Sequence, residues 1–245
     1  MSTAATPRNW KRWLIGAGAA LVAAVVGGPF VYIHFIEGKA PAPLGLTAQT
    51  TTTLIVGASS PTTTGATSAT PTAVDGTWKI AAGSVAGYRI KETLFGQSNT
   101  AVGRTGGITG SITIAGTTVR TAEFSVDVTT MTSDQHQRDG QFQGRIMNTA
   151  AFPTASFALT QPIQLASIPA EGTTVTESAT GKLTLHGTTK TVTFTVEARR
   201  TAATISVSGS IPIVFSDYSI NNPSGGPATT ASSGLLEFLL NFTHA

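Results

Sequence analysis

Two short polar runs hold most of the chemistry that this chain can offer. Asp134-Gln135-His136-Gln137-Arg138-Asp139 gathers carboxylates, an imidazole and a guanidinium in one stretch. Leu183-Thr184-Leu185-His186-Gly187-Thr188-Thr189-Lys190 sets a histidine beside a glycine-containing turn. The first run fits either the mouth of a cavity meeting a polar head group or a salt-bridged surface helix. The second fits either a hairpin with a polar tip or a ligand contact. Neither has the form of a catalytic motif. His136, His186 and His244 are too far apart in sequence for the tight spacing of a metal site. No Gly-x-Ser-x-Gly elbow occurs, and with Cys 0 there is no thiol nucleophile. Gly16-Ala17-Gly18 has the look of a nucleotide loop but lies inside a long apolar run. The expectation is a protein that is not an enzyme and holds neither metal nor cofactor.

The elements that would position these runs are strands. Apolar and polar residues alternate in Glu123-Phe124-Ser125-Val126-Asp127-Val128 and again in Thr191-Val192-Thr193-Phe194-Thr195-Val196-Glu197. Ile205/Val207, Ile211/Ile213/Phe215 and Phe238/Leu240/Phe242 continue the series. Such alternation marks a strand with one apolar and one wet face. Turn residues separate the runs at Ala115-Gly116-Thr117, Gly187-Thr188-Thr189 and Asn221-Asn222-Pro223. Many short strands rich in Thr, Val, Ile and Phe predict an all-β antiparallel sandwich or barrel. One stretch, residues 133–147, reads as helical, with Ser133 or Asp134 placed to cap its start. Gly140 and Gly144 weaken it, so a short or irregular helix is expected.

The N-terminal part reads differently. From Leu14 to Ile36 there is no Asp, Glu, Lys or Arg, and Arg8, Lys11 and Arg12 stand in front. As a helix this run would be roughly 34 Å long, about a bilayer core. The basic flank is expected to stay cytoplasmic, which puts the rest of the chain outside. A cleaved signal peptide is the competing reading, with Ala40-Pro41-Ala42 loosely like a cleavage site. Against it stand the length of the apolar run and the proline within the site. The expected organisation is a cytoplasmic basic N-terminus at 1–13, a transmembrane helix at 14–36, a Thr/Ala/Pro-rich disordered linker at 37–76 and a folded domain at 77–245. The linker's only apolar knot is Leu54-Ile55-Val56, too little to offset the entropy of ordering it. From Thr77 onward, eleven Lys/Arg face ten Asp/Glu, so the outer domain is almost neutral. No clustered basic face is visible in it, and nucleic acid is not an expected partner.

In order along the domain come Trp78-Lys79-Ile80, Ser84-Val85, Phe124-Ser125-Val126-Asp127-Val128, Thr132 and Arg138-Asp139. Phe152-Pro153-Thr154-Ala155-Ser156-Phe157, Gly181 through Lys190, and Ser216-Asp217-Tyr218-Ser219-Ile220 follow. This ordered set resembles the YceI-like family of extracytoplasmic, lipocalin-like proteins. Two positions depart from the family pattern. Gly83 stands where a histidine is usual, and Phe215 stands where an arginine precedes Ser-Asp. A membrane anchor is also unusual in that family.

The resemblance implies an antiparallel lipocalin-like β-barrel with one short helix, enclosing an elongated apolar cavity. It implies a long-chain isoprenoid lipid as partner, of polyprenyl or isoprenoid-quinone type; with the run 14–36 read as an anchor, a cell-membrane, single-pass protein is expected to sequester it outside the membrane. The expected apolar lining is Phe124, Val126, Phe157, Leu183, Leu185, Val192, Phe194 and Phe215, each equally readable as plain core packing. Arg138, Asp139, His186 and Asp217 are expected either to meet a head group or to hold the helix over the barrel. The alternative is a non-enzymatic cell-envelope interaction or stress-related module whose barrel is filled.

Overall fold

The computed structural model describes residues 40–46, 74–225 and 228–245. Thirteen strands form one antiparallel sheet: β1 (Gly76–Ile80), β2 (Val85–Leu94), β3 (Gln97–Thr105), β4 (Ile108–Ala115), β5 (Thr118–Asp127), β6 (Thr132–Ser133), β7 (Thr154–Leu159), β8 (Ile163–Gln164), β9 (Thr174–Leu185), β10 (Thr188–Arg200), β11 (Thr204–Val214), β12 (Ala228–Thr230) and β13 (Ser233–His244). The order β1-β4-β5-β7-β9-β10-β11-β13 closes when β13 pairs back onto β1, giving an eight-stranded barrel. Closure leaves those strands without a free edge at the base.

Both β1/β2 and β3/β4 are single wall strands broken midway. At the first break the Ser84 hydroxyl donates to the Ala81 carbonyl at 2.8 Å, and the Asn241 N–H donates back to that hydroxyl at 2.9 Å. The kink is thereby pinned to β13. The second break falls at Gly106-Gly107, where the Thr105 and Thr130 hydroxyls meet at 2.5 Å. Beyond it β3 leaves β5 and pairs instead with β6. The wall is therefore open between β3 and β5 at one end, called here the mouth.

That opening is covered by α1 (His136–Gln141) and the π-helical turn Phe142–Ile146 that follows it. The short, irregular helix agrees with the glycine-weakened reading of 133–147. Its capping does not: Gln135 is the N-cap and offers no side-chain bond. Ser133 lies in β6 instead, where its N–H and hydroxyl donate to the Asp139 carboxylate at 2.8 and 2.6 Å.

Alternation is realised throughout the wall. Phe238, Leu240 and Phe242 point into the main hydrophobic cluster with Ile211, Ile213, Phe194 and Val196. One stretch of the outer face is not wet, however. Glu237, Leu239 and Ser208 are buried there, and residues 40–46 run along this side of the barrel. The Pro41 carbonyl accepts from Arg89 at 2.7 Å, that of Ala42 from Arg104 at 2.9 Å and that of Leu46 from Arg199 at 2.9 Å. Leu46 is only 3% exposed. Part of the stretch expected as linker is thus laid against the wall as a strap. Among the described residues no helix is long and apolar enough to cross a membrane. The run 14–36 expected as a transmembrane helix, and the linker residues 47–73, lie outside the described residues.

Candidate functional site

The barrel interior has two compartments. The larger, at the mouth end, is a cavity of about 840 Å³ walled by Tyr88, Ile90, Val126, Leu183, Leu185, Ile211, Ile213 and Leu236, among others. This lies in the upper part of the range for ligand pockets, roughly 300–1,000 Å³. The smaller, toward the base, measures about 140 Å³ and is bounded by residues such as Ile112, Ile114, Leu159, Val196 and Phe242. A space of that size holds one small apolar molecule, not a long chain.

Four phenylalanines stand between them. Phe124 on β5, Phe157 on β7, Phe194 on β10 and Phe238 on β13 form a ring of contacts across the bore. Their centroids are 5.3 Å apart for 124–157 and for 157–194, 5.9 Å for 194–238 and 5.6 Å for 238–124. Phe124 and Phe238 border both compartments, whereas Phe157 and Phe194 border only the lower one. Two glycines on intervening strands make room for the septum. A Cβ at Gly209 would lie 2.7 Å from the Phe238 ring, and one at Gly181 would strike the Phe157 ring. The aromatic pairs favour edge-on and offset packing of this kind.

Polar groups gather at the mouth. Glu92, Gln135, Gln137, Arg138 and Gln141 contribute to the wall there. Arg138 bonds Asp134, just ahead of α1, and reaches Glu92 of β2 at 3.3 Å. Together with the bond from Ser133 to Asp139, this clasps the helix to both β2 and β6. Beneath the clasp the Phe142 ring stacks on Tyr88 at 5.1 Å and 16°. Burial pushes the Tyr88 phenol well above the ordinary tyrosine range, only partly opposed by the Arg138 charge. The Tyr218 phenol is raised too, by burial first and then by Asp217.

The sequence-predicted residues separate accordingly. Val126, Leu183, Leu185, Phe215 and Phe124 line the large cavity. Phe157 and Phe194 belong to the septum and the lower compartment. Val192 borders neither and packs against the core at its edge. Of the polar set only Arg138 reaches the cavity wall. Asp139 is spent on Ser133, and His186 lies against Phe152 at 4.6 Å with Nδ1 3.2 Å from the Tyr218 carbonyl oxygen. His186 and Gly187 occupy the two left-handed positions, φ 50 and 74, of the β9–β10 turn. Asp217 is exposed. The third histidine is at the far end, its ring 5.1 Å from Trp78. Among the described residues no group of three or more His, Cys, Asp or Glu is placed to hold a metal ion. Residues not anticipated as lining include Tyr88, Phe142 and Met131, which close the mouth side. Phe238 and Ile213 were legible as alternating strand residues but not singled out.

The class is that of antiparallel β-barrels with an apolar interior open at one end and lidded by a helix. The YceI-like domain model matches residues 78–242, and the chain belongs to that family. Among solved structures, a polyisoprenoid binding domain from Saccharophagus degradans, implicated in plant cell wall breakdown, is similar with a TM-score of 0.54. It is 16% identical over 69% of this chain and 98% of that one. Burkholderia cenocepacia BcnA is 20% identical over 63% of this chain and 95% of its own, with a TM-score of 0.49. A Campylobacter jejuni YceI protein is 14% identical over 57% and 83%, with a TM-score of 0.44. Identities so low speak to the fold alone. No curated protein matches the chain.

Proposed function

We propose that this protein binds a long-chain isoprenoid lipid in the mouth-side cavity and keeps it outside the membrane, without catalysing a reaction on it. The observation that carries this reading is the cavity itself, about 840 Å³ of mainly apolar space, with Gln135, Gln137, Arg138 and Gln141 beside the helix that covers its mouth. Removing hydrocarbon from water is worth about 0.8 kcal/mol per CH₂. A long chain can therefore be held by a wall that offers no specific polar contact. The polar rim then meets the head group, and the carboxylates and arginine of α1 mainly hold the lid. The Saccharophagus degradans relative is described as polyisoprenoid-binding, which supports the same ligand class for this chain.

In this reading residues 14–36 are a single-pass anchor, the N-terminus is cytoplasmic and the barrel is extracytoplasmic. The supporting features are the uncharged run and the basic residues before it. A filled-barrel interaction module would need an interior without this space. The test is native mass spectrometry of the full-length protein purified in mild detergent, with organic extraction of what it carries. A stoichiometric polyprenyl lipid or isoprenoid quinone is the expected result. A lipid-free protein that also takes up no added polyprenyl alcohol would overturn the proposal.

A further inference from the structure

One lip of the mouth differs from the other. The α1 lip is polar and charged. Beside it, where Arg138 reaches Glu92 of β2 at 3.3 Å, the β2–β3 hairpin ends in Phe95-Gly96, and β12 pairs with the same stretch of β2, Ala228 against Leu94. Neither Leu94–Ser98 nor Ser219–Ser232 contains a charged residue, although Arg145 donates to the Pro223 carbonyl at 3.1 Å. Phe95 is 52% exposed, the most exposed of the large hydrophobic side chains described. It also holds φ 50, with Gly96 at φ 80, in a turn that ordinarily takes Asn-Gly. A bulky side chain in left-handed conformation is strained, and asparagine would relieve both strain and exposure. Leu94 and Phe95 border the cavity, so an apolar path runs from the tip into the interior.

The strap gives this lip a direction. Pro41 is held at Arg89, midway up β2, and Leu46 at Arg199, near the base end of β10. Followed backward, the chain climbs toward the mouth. Only residues 37–39 separate Ala40 from Ile36, the end of the uncharged run. Extended backbone spans at most about 3.6 Å per residue, so the four steps of chain from Ala40 back to the end of that run measure at most roughly 15 Å. Phe95 is six residues beyond Arg89, in the turn that ends β2, about 20 Å away at 3.3 Å per residue.

We infer that the β2–β3 tip docks on the membrane that holds this protein's own anchor, with Phe95 inserted at the headgroup level. The inference rests on the lipid-binding and anchor readings and adds a route to them: the Phe95 tip faces the bilayer, and the lipid chain enters the cavity along Leu94 and Phe95 without crossing water. An aromatic ring is suited to that depth, and a charge there would be costly.

The test places tryptophan at the tip of the full-length protein reconstituted in phosphatidylcholine vesicles, with and without brominated acyl chains. Phe95→Trp is expected to emit at shorter wavelength than in detergent-free buffer-exposed controls and to lose at least half its added fluorescence to bromine. Ile168→Trp, at the opposite end, is expected to lose none. Should Phe95→Trp disturb folding, Ser98→Trp, exposed nearby on β3, gives the same readout. Equal quenching at both ends, no quenching at the tip, or a blue shift that grows with protein concentration and ignores bromine would overturn the docking. Uptake of solanesol by the unmodified protein in detergent is measured alongside. If uptake occurs without tip quenching, docking fails and lipid binding stands. If the tip is quenched without uptake, the membrane contact stands and the lipid-binding reading fails.

Discussion

The two halves of the barrel interior are built from the same alternating strands, yet one is filled and the other is not. Toward the base, facing strands bring Ile112, Ile114, Phe157, Phe194, Leu240 and Phe242 together, and only about 140 Å³ remains. Toward the mouth the inward positions include Ala86, Ala101 and Ala155, and β3 parts from β5 so that a helix must close the wall. Alternation therefore specifies that a barrel has an interior. Whether that interior holds a guest depends on side-chain volume across the bore and on where the wall opens.

The septum is the place to break this comparison with the largest effect. Phe157→Ala removes a buried ring from the tightly packed side, and a loss of about 3–5 kcal/mol of stability is expected. Leu183→Ala removes volume from a wall that already borders open space, so its cost should fall near the low end of the usual range, about 2 kcal/mol. Urea unfolding of the two lipid-free variants measures the difference. Phe157→Ala should also join the compartments and accept a longer polyprenyl chain, read by mass spectrometry of the extracted lipid. Equal stability losses would mean that the halves are packed alike.

The lid comes next. Arg138→Met breaks the clasp between α1 and Glu92 and leaves that carboxylate without its ion-pair partner. Charge-assisted hydrogen bonds of this kind contribute about 1.5–3 kcal/mol. Local opening should appear as faster amide exchange across α1 and faster ligand release, with exchange in β9–β11 at the base end unchanged. A smaller effect is expected from filling the space. Ala155→Trp projects an indole into the large cavity and should cut bound lipid at least tenfold, about 1.4 kcal/mol, without lowering the melting temperature. A variant that still carries a full complement of lipid would move the binding site elsewhere.

Much of this architecture was legible in the sequence because the signals were local. Period-two alternation identified the strands that carry Phe124, Phe194 and Phe238, and paired glycines announced an irregular helix. Which inward residue lines space and which blocks it was not legible. Phe157 and Val126 have the same pattern, but one is part of the septum and the other lines the large cavity, a fact set by strand register around the whole barrel. Ring berths at Gly181 and Gly209 exist only across strands and leave no mark along the chain. The strap was missed for a related reason. Ala40–Leu46 has the composition of a spacer, and its anchoring comes from arginines far away in sequence, two of which share the buried Glu237 at 2.6 and 3.1 Å. Such an ion-pair group is invisible until the fold brings it together.

The last expectation concerns Tyr88, which belongs to the mouth half and reports on its closure. Its phenol lies in the cavity wall under Phe142, and burial keeps it neutral far above the ordinary tyrosine range. In the unfolded chain it ionises near pH 10. Below that pH both states hold the proton and stability is unaffected. Above it the unfolded chain releases a proton that the folded barrel keeps, so the unfolded state binds fewer protons and stability falls as pH rises. Between about pH 10 and 11 the loss attributable to this one group should be about 1 kcal/mol. Tyr88→Phe should flatten that part of the alkaline stability profile, whereas Phe142→Ala, by removing the ring stacked on Tyr88 and admitting water, should let Tyr88 ionise closer to pH 10 in the folded state. An ultraviolet titration in which Tyr88 ionises normally in the unmodified protein would show that the lid stands open, and the mouth would then differ from the base in wall as well as in filling.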